Sequence, residues 1–418
     1  MKYIVILCDG MADEPLAELD GRTPLEAADT GNMDRLAADS EIGMVRTVPK
    51  GMAPGSDTAN LSVIGYDPGK YYSGRSPLEA LSIGAEMGEK DVSFRCNLVT
   101  LSEEEEKYED RVILDHSSGE ISTEEAAVLA EALRDEFERE GYTFYVGTSY
   151  RHLLIQKDGR ITELTPPHDI LTKRIGEYLP EDSVLRKMMV RSYDILKDHP
   201  VNVKRRAEGK NPANSAWFWG AGTRPVLPSF EEKTGVKGAM ISAVDLLKGI
   251  AAGSGMHNII VEGANGGLHT NYEGKARAAV KALTEDGFDF VYVHIEAPDE
   301  MGHQGSAADK IKAIEYIDDQ VIGPVADALR GSGVDFRMLI LPDHPTPVRV
   351  RTHTSDPVPY LLYDSTKAQD GCGMYCEKTG QESGRMLDEG YQLIDHLLNL
   401  DLWRSRPVGE TSENRGYN

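Results

Sequence analysis

Phe288-Asp289-Phe290-Val291-Tyr292-Val293-His294-Ile295, followed by Glu296-Ala297-Pro298-Asp299, is the stretch on which the reading of the fold turns. A run rich in aromatic and β-branched residues predicts a buried strand, and it ends in acids. Beyond it, Ile311, Ile314, Ile317, Val321, Ile322, Val325 and Leu329 recur at spacings of three and four between Ala307 and Leu329. That periodicity predicts one buried helix face. A second β-rich run, Phe336–Leu341, then ends in Pro342-Asp343-His344. Strand, helix, strand is the repeating unit of a parallel α/β sheet, and such sheets collect their ligands beyond the carboxyl ends of the strands.

Outward from this unit the alternation continues, with β-rich runs at Tyr3–Leu7, Asn258–Val261 and Val358–Tyr363. The fold class is therefore α/β, a largely parallel sheet flanked by helices. The middle of the chain reads differently. From Asp91 to about Val236 it mixes a short strand pair around Glu106, a helix from Thr123 to Gly141, a strand near Arg151–Gln156 and the Pro-rich loop Thr165–His168. Asn211–Ser229, with Pro212, Pro225 and Pro228, reads as irregular chain. Such sequence suits a smaller α+β domain inserted into the main sheet. The expected division is a discontinuous core of 1–88 and 237–405, an inserted domain of 89–236 and a flexible tail of 406–418.

Composition narrows the function. With 40% of 418 residues hydrophobic, the chain can bury one large core or two moderate ones. Its 45 Lys and Arg against 69 Asp and Glu give a net charge of −24, a field that repels nucleic-acid backbones and anionic lipid. No apolar run approaches the roughly 18 residues of a membrane span, and Tyr3–Leu7 has neither a basic lead nor a cleavage site. A soluble, cytoplasmic protein without nucleic-acid or membrane partners is expected, and a homo-oligomer is left open. Cys8, Cys96, Cys372 and Cys376 are too few for a disulfide framework and read as reduced thiols.

Three strand ends carry the chemistry: Leu7-Cys8-Asp9, Ile295 to Asp299, and Leu341 to His344. His303 lies four residues past Asp299, and His353 sits in Arg351-Thr352-His353-Thr354. A single Asp at a strand end is usually a cap. An Asp-x-x-x-His and an adjacent Asp-His pair, each directly after a buried strand, fit a site for Mn2+ or Zn2+ type ions better. Pro54-Gly55-Ser56-Asp57-Thr58-Ala59-Asn60-Leu61 is a Gly-led turn into a helix, where Ser56 is either an N-cap or a nucleophile. As a nucleophile its hydroxyl would sit on a cation, with helix amides facing a phosphoryl oxygen.

Asp9-Gly10-Met11, Thr23 to Ala28, Pro54 to Asn60, Gly74-Arg75-Ser76-Pro77-Leu78-Glu79-Ala80, Asp299-Glu300-Met301-Gly302-His303 and Asp343-His344 occur in this order. Together they resemble the archaeal-type cofactor-independent phosphoglycerate mutases of the alkaline phosphatase superfamily, over about Lys2 to Leu400. The resemblance implies an alkaline phosphatase-like core and two divalent ions, Mn2+ foremost with Mg2+, Zn2+ or Co2+ as alternatives. By the same resemblance Asp9, Ser56, Asp343 and His344 would hold one ion, and Asp299, His303 and His353 the other. Ser56 would be a transient phosphoserine, and no bisphosphoglycerate would be needed. For the small phosphorylated substrate the matching candidates are Arg151, His152, His168, Asp169, Lys204-Arg205-Arg206 and Lys275. Lys204–Arg206 reads equally as a solvated basic turn.

One departure bears on the acceptor. Pro345 follows Asp343-His344 where the mutases more often carry Ser, and Thr165–Asp169 with Arg351–Thr354 looks like a bacterial subgroup proposed to be homoserine kinases. The leading expectation is interconversion of 3-phosphoglycerate and 2-phosphoglycerate. Phosphoryl transfer to homoserine, with Asp169 holding the ammonium, and a metal-dependent phosphomonoesterase are the alternatives.

Overall fold

A computed structural model describes residues 1–369 and 371–398, so the expected tail of 406–418 lies outside the described residues. Thirteen strands are present among them. They are β1 (Lys2–Cys8), β2 (Glu41–Val45), β3 (Val92–Leu101), β4 (Ile113–Asp115), β5 (Tyr142–Tyr145), β6 (Arg151–Gln156) and β7 (Ser215–Thr223). There follow β8 (Gly238–Ile241), β9 (His257–Asn258), β10 (Phe290–Ile295), β11 (Phe336–Leu341), β12 (Val358–Asp364) and β13 (Met386–Leu387).

The chain forms two compact units, Met1–Tyr72 with Leu227 onward, and Ser73–Val226. The crossings precede the expected 88 and 236. At the first, helix Arg75–Ser82 packs on β3 and β7: Ser76 Oγ donates to Ser93 O at 2.9 Å, and Glu79 pairs with Arg95 at 2.9 Å.

In the first unit eight strands run in the order β13-β2-β12-β11-β1-β10-β8-β9. β1 lies parallel to both β10 and β11, while β12 runs antiparallel to β11 and β2. The largely parallel sheet flanked by helices is thus present. Strands with both faces covered need no polar alternation, and Ile4 to Cys8 are all inaccessible to solvent. The long helix between β10 and β11 runs Ala307–Ile317, widens into a π-helical segment at Asp318–Ile322 and continues as Gly323–Gly331. Pro324 has no N–H to give and its ring crowds the carbonyl one turn earlier, so the ladder widens just before it. Of the predicted face, Ile314, Ile317, Val321, Ile322, Val325 and Leu329 are fully buried, and Ile311 packs at its margin.

The predicted strand Asn258–Val261 shrinks to His257–Asn258. It is an edge strand with β8 as its one neighbour, and after the Ile259 N–H bonds to Met240 O the chain leaves the sheet, exposing Ile260.

The second unit is built on an antiparallel sheet in which β3 pairs with β4, β6 and β7, and β5 closes the edge beyond β6. Helices Thr123–Phe137 and Ser183–Leu196 contribute to its apolar core. The helix predicted to reach Gly141 ends at Phe137. Asn211–Ser229 is not irregular throughout: β7 occupies its centre, its register on β3 running from Val92↔Thr223 to Val99↔Ser215. Pro212, Pro225 and Pro228 flank this strand and leave its ladder intact. No helix of the described residues is long and apolar enough to cross a membrane. All four cysteines are free thiols.

Candidate metal and phosphoryl-transfer site

Because β1 lies between β10 and β11, the residues just past their carboxyl ends converge. Gly10 makes this possible: its φ is +61°, and a Cβ there would stand 2.6 Å from Asp299 Oδ1. Asp343 is fixed from both oxygens. Its Oδ1 accepts the N–H groups of Gly10 (3.1 Å) and His344 (2.9 Å), and its Oδ2 accepts Asn60 Nδ2 (2.8 Å). Asp9 Oδ2 lies 2.8 Å from His294 Nε2. Asp9 Oδ1 is buried and has no hydrogen-bond partner among the described residues. Burial, followed by the nearby carboxylates of Asp343 and Asp299, pushes the Asp9 carboxyl well above its usual range. Such a group calls for a cation.

Helix Ser56–Val63 brings the serine in. Gly55 is the N-cap, so the cap reading of Ser56 does not hold: Ser56 is the first helical residue. Its Oγ lies 3.1 Å from His344 Nε2.

Asp299 and His303 sit one turn apart on helix Ala297–Gln304 and share a face. His303 Nε2 is 3.2 Å from Asp299 Oδ2 and 3.0 Å from His353 Nε2, and His353 Nε2 is 3.5 Å from Asp299 Oδ1. Burial opposes a charged His303 ring, but Asp299 outweighs it and raises the ring to about 9. Burial likewise opposes the Asp299 carboxylate, which His303 and His353 hold well below its usual range. Ligand atoms of Asp9, Asp343 and His344 lie within 4.8 Å of one another, and so do those of Asp299, His344 and His353. His344 thus stands between the two groups, and both sets can hold a cation.

The expected substrate residues divide. Arg151 is exposed, and His168 and Asp169 lie together on the short helix Pro167–Ile170, His168 edge-on to Trp219 at 5.2 Å between ring centres. Three others are internal, against expectation. His152 faces the covered side of the β6 ladder, its Nδ1 accepting the Gly147 N–H at 3.1 Å. Arg205 pairs with Glu125 and donates to Asn211 O and Ser118 O. Lys275 is fully buried, donates to His294 O at 2.8 Å, and is lowered to about 8 by that burial.

Sequence reasoning missed the residues that orient the candidate ligands. Thr346 donates its hydroxyl to Asp299 Oδ1 and lies 3.3 Å from His344 Nδ1, so it touches both groups. Lys310, wholly buried, donates to Ala12 O, Asp13 Oδ2 and Thr346 O, tying together the loops after β1 and β11. His294, which meets Asp9 Oδ2, belongs with them, and it alone left a signal, a histidine inside an otherwise apolar strand.

Comparison with known proteins bears on the whole chain. A family model of 2,3-bisphosphoglycerate-independent phosphoglycerate mutase matches residues 37–202. The mutase of that name from Methanosarcina barkeri is 48% identical over 404 residues, covering 95% of this chain and 99% of its own. The chain belongs to this family. Its Methanothrix thermoacetophila member is 47% identical over 401 residues, with 95% and 100% covered. Among solved structures, a Pyrococcus horikoshii protein is 31% identical with a TM-score of 0.77, over 98% of this chain and 99% of that one. A cofactor-independent phosphoglycerate mutase from Thermoplasma acidophilum is 28% identical with a TM-score of 0.62, over 96% and 100%. The resemblance carried by the motifs is therefore a family relationship.

Proposed function

We propose that this family member interconverts 3-phosphoglycerate and 2-phosphoglycerate in the cytoplasm, as a step of glycolysis, through a phosphoserine at Ser56 and without bisphosphoglycerate. The observation that carries the reading is the placement of Ser56 Oγ 3.1 Å from His344 Nε2, within the carboxylate and imidazole groups at the sheet's carboxyl edge. Asp9, Ser56, Asp343 and His344 would hold one divalent ion, and Asp299, His303 and His353 the other. Three features support cations here: a buried Asp9 Oδ1 with no hydrogen bond among the described residues, the mixed oxygen and nitrogen donors, and His303 and His353 nitrogens 3.0 Å apart beside one carboxylate. Such donors suit Mn2+, with Mg2+, Zn2+ and Co2+ as alternatives. When bound, the ions would draw charge from the transferring phosphoryl group and ease loss of the serine proton.

The chain's own residues do the rest. Ser56 Oγ forms a bond to phosphorus as the glycerate oxygen–phosphorus bond breaks, its proton passing to that oxygen. In the second step the other glycerate hydroxyl bonds to phosphorus, the Oγ–phosphorus bond breaks, and that hydroxyl's proton returns to Ser56 Oγ. Ser56 opens a helix, whose first amide N–H groups suit phosphoryl oxygens. Arg151, His168 and Asp169 are exposed and available to a small polar substrate, whereas His152, Arg205 and Lys275 support structure from inside.

Purified protein with Mn2+ is offered 3-phosphoglycerate without bisphosphoglycerate, and separately ATP with homoserine. Formation of 2-phosphoglycerate, with phosphate trapped on Ser56 by mass spectrometry, is expected. Faster phosphorylation of homoserine would replace the mutase reading.

A further inference from the structure

Asn60 lies one helical turn after Ser56 and is completely buried. Its side-chain NH2 donates to two acceptors, Ser56 O and Asp343 Oδ2, each at 2.8 Å. Its Oδ1 accepts the hydroxyl of Tyr292 at 2.6 Å, and Tyr292, from the middle of β10, is equally inaccessible to solvent. The two ends of a primary amide are nearly equal in size, so only their partners decide which end points where. Turned over, the amide would set its oxygen against the Asp343 carboxylate and the Ser56 carbonyl, three acceptors with no proton between them. A phenol O–H aimed at Oδ1 favours the orientation in which NH2 faces Asp343. Among the described residues Asn60 Nδ2 makes the short contact to Asp343 Oδ2, with His344 Nε2 farther off at 3.4 Å, while Oδ1 takes the two backbone N–H groups.

We infer that Tyr292 is a positioning residue for the reaction: through the Asn60 amide it fixes the spacing between the Ser56 turn and the Asp343 carboxylate. The inference rests on the functional reading above, in which Ser56 attacks and Asp343 helps hold an ion. Neither Tyr292 nor Asn60 touches the reacting atoms. Their joint effect is to keep the nucleophile's turn and one ligand in register, a relation that packing alone would leave loose.

A double-mutant cycle tests this on the full chain, with Tyr292→Phe, Asn60→Ala and the pair together. Four quantities are measured: kcat and KM for 3-phosphoglycerate, Mn2+ affinity by titration calorimetry, and the melting temperature of metal-free protein. Tyr292→Phe is expected to lower kcat and weaken Mn2+ binding about tenfold each, with KM within about twofold. In the Asn60→Ala background the same change is expected to alter neither, because the amide it orients is gone. Unchanged kcat and affinity in Tyr292→Phe overturn the inference. So do equal losses in both backgrounds, which would mean that the phenol acts by packing. Should Tyr292→Phe fail to fold, Asn60→Ala decides alone, and undiminished Mn2+ affinity there overturns it. Absence of Mn2+ binding, or of Ser56-dependent turnover, in the parent protein would instead overturn the functional reading on which it rests.

Discussion

His294 holds Asp9 by one oxygen. The ring Nε2 stands 2.8 Å from Asp9 Oδ2, and on the other side Nδ1 lies 3.2 Å from Ser242 Oγ, which also accepts the Val244 N–H. Burial lowers the ring to about 3, so it is neutral, and with its one proton on Nε2 toward Asp9 its Nδ1 would accept the Ser242 hydroxyl. A carboxylate with one oxygen tied and one buried without a hydrogen-bond partner among the described residues is oriented in advance of any ion.

His294→Leu should therefore weaken Mn2+ binding by about tenfold or more, because Asp9 loses its orienting donor while every proposed ligand remains. Titration calorimetry checks this. Affinity equal to the parent's would show that β1 alone orients Asp9.

Ser56→Ala should abolish phosphoglycerate interconversion while leaving stability nearly untouched. Gly55 caps the helix, so alanine at the next position is expected to cost no more than about 0.5 kcal/mol. A melting temperature close to the parent's with no detectable turnover is the expected pair of results. Retained turnover would remove the covalent step.

Asp299→Asn and His353→Ala should each lower activity by orders of magnitude and reduce bound metal, and chelation of the parent should do the same. Elemental analysis alongside the assay distinguishes loss of metal from loss of fold, which circular dichroism reports separately.

Glu377 gives stability a pH dependence. It is buried, its Oε1 accepting the Asp13 N–H at 3.1 Å and its Oε2 the Thr23 hydroxyl at 2.7 Å, and burial raises it to about 7. A carboxyl raised on folding contributes stability that is fully present below its unfolded value near 4.5 and lost as pH rises through about 7. The loss is on the order of 3 kcal/mol. Glu377→Gln stays neutral, so its stability relative to the parent should improve steadily between pH 5 and 7.5 in urea titrations of metal-free protein. A difference that does not change with pH would contradict this.

What could be read in advance was what the chain carries locally. Asp9, Asp343 and His344 follow strands, Asp299 and His303 sit one helical turn apart, and these short-range patterns survive folding. The orienting partners have no such pattern: Asn60 meets Asp343 across 283 residues, and Tyr292 meets Asn60 across 232. Direction was the second gap. Arg151 and His152 are neighbours in sequence, yet on a strand they face opposite sides, and only the pairing of β6 with β3 decides which one is covered. β7 was hidden because prolines at its borders looked like breaks within it, while the predicted strand beyond Asn258 had no second neighbour to hold it.

The place of β1 in the sheet also sets an order in time. Lys2 and Asp289, joined by an ion pair, are 287 residues apart, an interval that synthesis at about 5 to 20 residues per second spans in roughly 15 to 60 s. Throughout that interval Ile4 to Leu7 have been made but neither β10 nor β11 exists to pair with them. Ser73–Val226, by contrast, contains every strand of its own sheet and can fold while the ribosome is still working. The guest is finished before the host, and the proposed ligand set, which runs from Asp9 to His353, closes only near the end, so uptake of a cation there would belong to the last stage of the molecule's making.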